Sequence, residues 1–136
     1  MKLTGKNPWF DSMMYVLESE KPLSFKDSWK FVLAAVRVLE KEGKLLSLEC
    51  EGEYAHEMDF SDDGNYSLRN SKELESAMGK ILDSKDDSAD IAVLVDGKRV
   101  RVMVQIGDDG LEVSVSGSGD GGKSAAKVAK MLKSMV

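Results

Sequence analysis

The sequence has few of the residues that staple, ligate or span. It holds one cysteine, Cys50, so no disulfide can close within the chain. A lone cysteine on a strand pattern reads as a small core side chain in a reducing compartment. It holds one histidine, His56, and one His with one Cys cannot make a zinc set. No run reaches the ~18 apolar residues that cross a bilayer. Met1 to Asn7 lacks the apolar core of a signal peptide. The expectation is a cytoplasmic protein without membrane contact. No internal repeat is visible, and no segment calls for a cofactor or a metal.

What is present is ordinary for a folded domain. Hydrophobic residues make up 42% and charged residues 32% of 136 residues, a balance that excludes disorder and fits a single domain over residues 1–136. The net charge of −5 is unevenly placed. Glu49, Glu51, Glu53, Glu57, Asp59, Asp62 and Asp63 fall between Glu49 and Leu68 with no Lys or Arg among them. Such a surface repels phosphate, so general nucleic-acid binding is disfavoured. It suits a basic partner instead.

Periodicity supplies the elements. Asn7-Pro8 has the form of a helix cap and first helical residue. Phe10, Met13, Met14 and Leu17 follow at helical spacing, which predicts a helix to about Glu20. A second helix is predicted from Phe25 to Glu42, stopped by Gly43. Between Trp29 and Leu39 only Lys30 and Arg37 are polar, so this helix needs cover on more than one side. Strands are predicted at Leu46 to Cys50, at Tyr54 to Phe60 and at Tyr66 to Leu68. A third helix, Ser71 to Asp83, opens on the capping-box spacing of Asn70 and Glu73. Three strands then alternate: Ile91, Val93, Val95; Val100, Val102, Val104, Ile106; and Leu111, Val113, Val115. The first hairpin turn is expected at Asp96-Gly97. A last helix covers Lys123 to Val136. The fold class expected is α+β: an antiparallel sheet of about five to six strands in two meanders. Two N-terminal helices, one middle helix and one C-terminal helix accompany it.

Three segments have motif-like spacing. Gly117, Gly122, Lys123 and Ser124 fit the G-x-x-x-x-G-K-[ST] pattern. In that pattern backbone amides curl around phosphates, the lysine neutralises charge and the hydroxyl meets magnesium. Against it, the preceding strand belongs to an antiparallel meander. Asp59, Ser61, Asp63 and Gly64 sit at positions one, three, five and six of a calcium loop, but the twelfth position is Asn70 rather than Glu. Cys50 and His56 could be cross-strand neighbours, the pair from which a thiolate nucleophile is built; both fall on predicted buried faces.

The N-terminal half also carries a resemblance. Tyr15-Val16-Leu17-Glu18 with Lys21-Pro22-Leu23-Ser24-Phe25-Lys26-Asp27, and then Leu39-Glu40-Lys41-Glu42-Gly43-Lys44-Leu45, resembles the opening and the recognition-helix end of winged-helix domains. The resemblance implies DNA binding by that half, although the would-be wing is acidic where phosphate contact needs Lys or Arg. In size, acidity and alternation of helices with strand runs, the chain is similar to the small dimeric chaperones of type III secretion.

The function expected is non-catalytic protein binding, by an inhibitor, an immunity-type antidote, a chaperone or an adaptor. Trp29, Val32, Val36 and Leu39 would supply apolar contact with a partner or a second copy. Glu51, Glu53, Glu57 and Asp59 would steer a basic partner. The alternatives are phosphate or nucleotide binding by Gly117 to Ser124 and winged-helix-like DNA binding.

Overall fold

The valines that alternate through the second half of the chain need one apolar layer to lie against, and the helices provide it. A computed structural model describes residues 1–9, 12–19, 25–52, 65–84, 91–107 and 110–135. Among these, the order is β1 (Lys2–Trp9), β2 (Ser12–Glu18), α1 (Phe25–Lys41), β3 (Leu45–Gly52), β4 (Asn65–Leu68), α2 (Ser71–Ser84), β5 (Ile91–Gly97), β6 (Val100–Gly107), β7 (Gly110–Ser118) and α3 (Gly121–Ser134). All seven strands form one sheet in the order β1-β2-β7-β6-β5-β3-β4. Each neighbouring pair is antiparallel.

The α+β class and the antiparallel sheet are as expected; the N-terminus is not. Of the segment read as a first helix from Asn7 to Glu20, Asn7 to Trp9 end β1 and Ser12 to Glu18 form β2, and the two strands pair antiparallel. Pro8 lies in an edge strand, the place in a sheet where proline is tolerated. Leu17 stands opposite Val113 of β7 and is fully buried. The described helices therefore number three rather than four. The two meanders are one sheet, because β3 runs beside β5. The predicted strand at Tyr54 to Phe60 lies outside the described residues.

Helices α1 and α3 cover one sheet face, and α2 packs against α1. Leu48, Val93, Val95, Val102, Val104, Val113 and Val115 on that face are all fully buried. Each such side chain stabilises the fold by about 1.5–3 kcal/mol. Helix α1 crosses β3, β5 and β6 and also touches α2 and α3. That is how an almost wholly apolar helix finds cover on several sides. It ends as predicted: Gly43, at φ 68°, donates to the Glu40 carbonyl at 3.0 Å, and Lys44 donates to the Leu39 carbonyl at 2.8 Å. This is the double bond of a Schellman ending, and it favours glycine.

The cap of α2 is also as read. The Glu73 N–H donates to Asn70 Oδ1 at 2.9 Å, while the Glu73 carboxylate accepts the N–H of Arg69 at 2.7 Å, one residue earlier than in the ideal box. The hairpin turn between β5 and β6 is Lys98-Arg99, not Asp96-Gly97. Pairing Val95 with Val102 and Val93 with Val104 puts all four on the inner face. A turn two residues earlier would place Val95 opposite Lys98. Burial of the valines sets the register, and Arg99 takes φ 63° as a result.

A candidate binding face on the open side of the sheet

Side chains alternate across a strand, so a sheet with helices on one side has a second face of its own. Here that face can be followed across the registers. Its central row runs from Val16 through Ser114 and Met103 to Leu94 and Glu49. One neighbouring row holds Met14, Ser116, Arg101 and Asp96; the other holds Glu18, Glu112, Gln105 and Ala92. Among the described residues, no helix packs over it. Met103 is 40% exposed beside fully buried Val102 and Val104. Leu46, at the register shift in β3, is 68% exposed. The face thus combines a short apolar centre with exposed carboxylates at Glu18, Glu49 and Glu112. Asp96 and Arg101 pair across the β5–β6 hairpin at 2.9 Å.

None of the central residues was singled out by periodicity, although the signal is there. Leu94 and Met103 are apolar at positions that should be polar. They stand out of phase with Val93 and Val95, and with Val102 and Val104. A single such residue is ordinary, but Leu94 and Met103 are cross-strand neighbours, and contiguous apolar surface is what interaction sites have.

The residues nominated from sequence fall elsewhere. Trp29, Val32, Val36 and Leu39 are fully buried inside the chain's own core. Contact with a partner through them would require the core to open. Glu51 lies in β3, paired with Ala92 and Asn65. Glu53, Glu57 and Asp59 lie outside the described residues, as do His56 and the calcium-like stretch Asp59 to Gly64. Cys50 stands in β3 between Tyr66 and Val93.

The glycine-rich loop has a packing role. A β-carbon on Gly121 would stand 2.1 Å from the Arg99 carbonyl oxygen, and one on Gly117 would stand 2.3 Å from the Gly121 carbonyl oxygen. The β7–α3 connection crosses the β5–β6 turn so closely that only glycine fits. Ser124 is 4% exposed, and its hydroxyl donates to the Glu42 carboxylate. Lys127 reaches the same carboxylate at 2.9 Å. These bonds hold the Glu42 carboxyl below its ordinary value, the Ser124 hydroxyl contributing most and Lys127 next. Lys123 is exposed.

Glu40, two residues earlier, does the same for α2. Its two oxygens accept the backbone N–H and the hydroxyl of Ser71, each at 2.8 Å. The backbone bond first, and the hydroxyl second, lower its pKa. The end of α1 therefore sets one carboxylate on the first turn of α2 and one on the first turn of α3, where the exposed amides and the helix dipole favour negative charge. Arg37 adds an ion pair with Glu75.

Of the stretch that resembles a winged-helix opening, Tyr15 to Glu18 lie in β2 and Phe25 to Asp27 in α1. The seven-stranded sheet is not a winged-helix fold. Comparison with protein-family models, with curated proteins and with solved structures finds no match to the chain. Among the described residues no helix is long and apolar enough to cross a membrane.

Proposed function

We propose that this chain is a non-catalytic protein-binding domain of the inhibitor, antidote, chaperone or adaptor kind, and that it binds through the open face of its sheet. One observation carries the reading: Met103 and Leu94 occupy the middle row of a face over which no described helix packs. An apolar centre with a polar rim is the anatomy of a transient interface. Glu18 and Glu112 in one flanking row and Glu49 at the end of the central row put negative charge beside that centre, which speeds encounter with a basic partner more than it tightens the complex. The apolar helix, the other surface suggested by sequence, is occupied by the chain's own sheet and helices.

The reading is tested by affinity capture with the wild-type chain and with Met103→Glu in parallel. A protein retained in stoichiometric amount by the wild type and lost by the variant supports it. Equal retention by both places the contact elsewhere.

A further inference from the structure

At one corner of the open face, the ends of β2, β5, β6 and β7 surround a depression of about 360 Å³. Its rim carries two guanidinium groups, Arg99 and Arg101, and three serines, Ser12, Ser116 and Ser118; among the described residues, the carboxylate in the lining is Asp96. We infer that this depression binds an oxyanion of the phosphate type, with Arg99 and Arg101 as its cationic clamp. The inference rests on different residues from the protein-binding reading and stands or falls separately.

Charge is the first support. In a chain of net charge −5, this corner gathers Lys44, Lys98, Arg99 and Arg101; the described acids beside them are Asp96, Asp120 and, next to Lys44, Glu42. Asp120 lies 3.6 Å from the Lys44 ammonium and 3.5 Å from Arg99 Nη1. Lys44 first, and then Arg99, hold its carboxyl below the usual value. The corner thus has a local cationic excess.

Donor geometry is the second. Asp96 engages only Nε of Arg101, at 2.9 Å. A guanidinium has two further nitrogens, spaced to meet two oxygens of one anion. The Ser116 and Ser118 hydroxyls beside such a fork can donate to the remaining oxygens of a tetrahedral group. The volume lies within the range of small-ligand pockets, about 300–1,000 Å³, and has room for a phosphate with an organic substituent.

The third support is where Arg99 sits. Its φ of 63° is one that glycine or asparagine takes readily and an arginine takes only with backbone strain. The turn is nevertheless held firmly. The Arg99 carbonyl accepts the Ser118 N–H at 3.0 Å, and the Lys98 N–H donates to the Lys44 carbonyl at 2.7 Å. The register requires a left-handed residue at this position but not a cation. The arginine there both lines the depression and pairs with Asp120.

The test uses the full chain and two probes, inorganic phosphate and phosphoserine, at constant ionic strength. Amide chemical shifts are followed by NMR. The expected result is saturable movement of the Arg99, Arg101, Ser116 and Ser118 amides. Arg101→Gln and Arg99→Asn should each weaken binding about tenfold or more, with an unfolding temperature close to the wild type. Asparagine accepts the left-handed backbone, so loss of binding by that variant reports the missing charge. Lys133→Gln, on the exposed side of α3, should bind as the wild type does. Tighter binding of phosphoserine assigns the anion to a modified protein; equal binding assigns a free anion. Shifts that rise linearly with concentration, or that persist unchanged in Arg101→Gln, overturn the inference.

Discussion

The hydroxyl of Ser124 donates to the carboxylate of Glu42 across the junction of α1 and α3, inside the segment whose sequence looks most like a phosphate loop. Ser124→Ala keeps the shape of the site and removes the bond. A buried hydrogen bond to a charged acceptor is worth about 1.5–3 kcal/mol. Lys127 still partners Glu42 in the variant, so a loss of about 1–2 kcal/mol in a urea unfolding experiment is expected. A variant as stable as the wild type would remove this bond from the account.

Glu40 and Glu42 give the fold a pH dependence of defined sign. Both carboxyls release their protons more readily in the folded chain than at their ordinary value of 4.5. Their contribution is therefore complete above that value, and it is lost as the pH falls through the lower folded values. Urea midpoints for the wild type should fall steeply below about pH 4.5. Those of the double variant Glu40→Gln, Glu42→Gln should start lower and fall less. Parallel curves would contradict the roles of these two groups.

Gly121→Ala should be among the most damaging substitutions in the chain. Its methyl group would meet the Arg99 carbonyl at 2.1 Å, and backbone on both sides must move. A loss of about 3 kcal/mol or more is expected. Gly43→Ala, with open space around its β-carbon, should cost about 1 kcal/mol through its positive φ alone. Calorimetry of the two variants distinguishes close approach from backbone conformation.

Val36→Asp should unfold the protein rather than separate two subunits. Val36 is fully buried, and an unpaired carboxylate there costs several kcal/mol. Loss of cooperative unfolding is the expected readout. A folded variant of reduced molecular mass would instead revive α1 as a contact between subunits.

Much of the fold was legible because local signals agreed with the tertiary ones. Gly43 ends α1, Asn70 caps α2, and the alternation from Ile91 to Val115 is the meander that forms. The N-terminal hairpin was not legible for a physical reason. Met13, Met14 and Leu17 fit a helix, while Met13, Tyr15 and Leu17 fit a strand equally well, and Asn7-Pro8 mimics a cap. Pairing with β7, about a hundred residues away, decides between them. The turn at Lys98-Arg99 was missed because Asp96-Gly97 is the stronger local signal, and the facing valines outweigh it. The apolar excess of α1 was correctly seen, but what covers it comes from the same chain. The candidate face was hidden because a face exists only once strands from both ends of the sequence lie side by side.

The measurement that bears most directly on the central claim is paired affinity capture by the wild-type chain and by Met103→Glu, with unfolding temperatures recorded for both. Met103 is partly exposed on the open face, so the variant should fold as the wild type does. The account predicts a stoichiometric protein partner on the wild type, weakened by salt, and its absence from the variant. The same partner at the same level on both chains would contradict it.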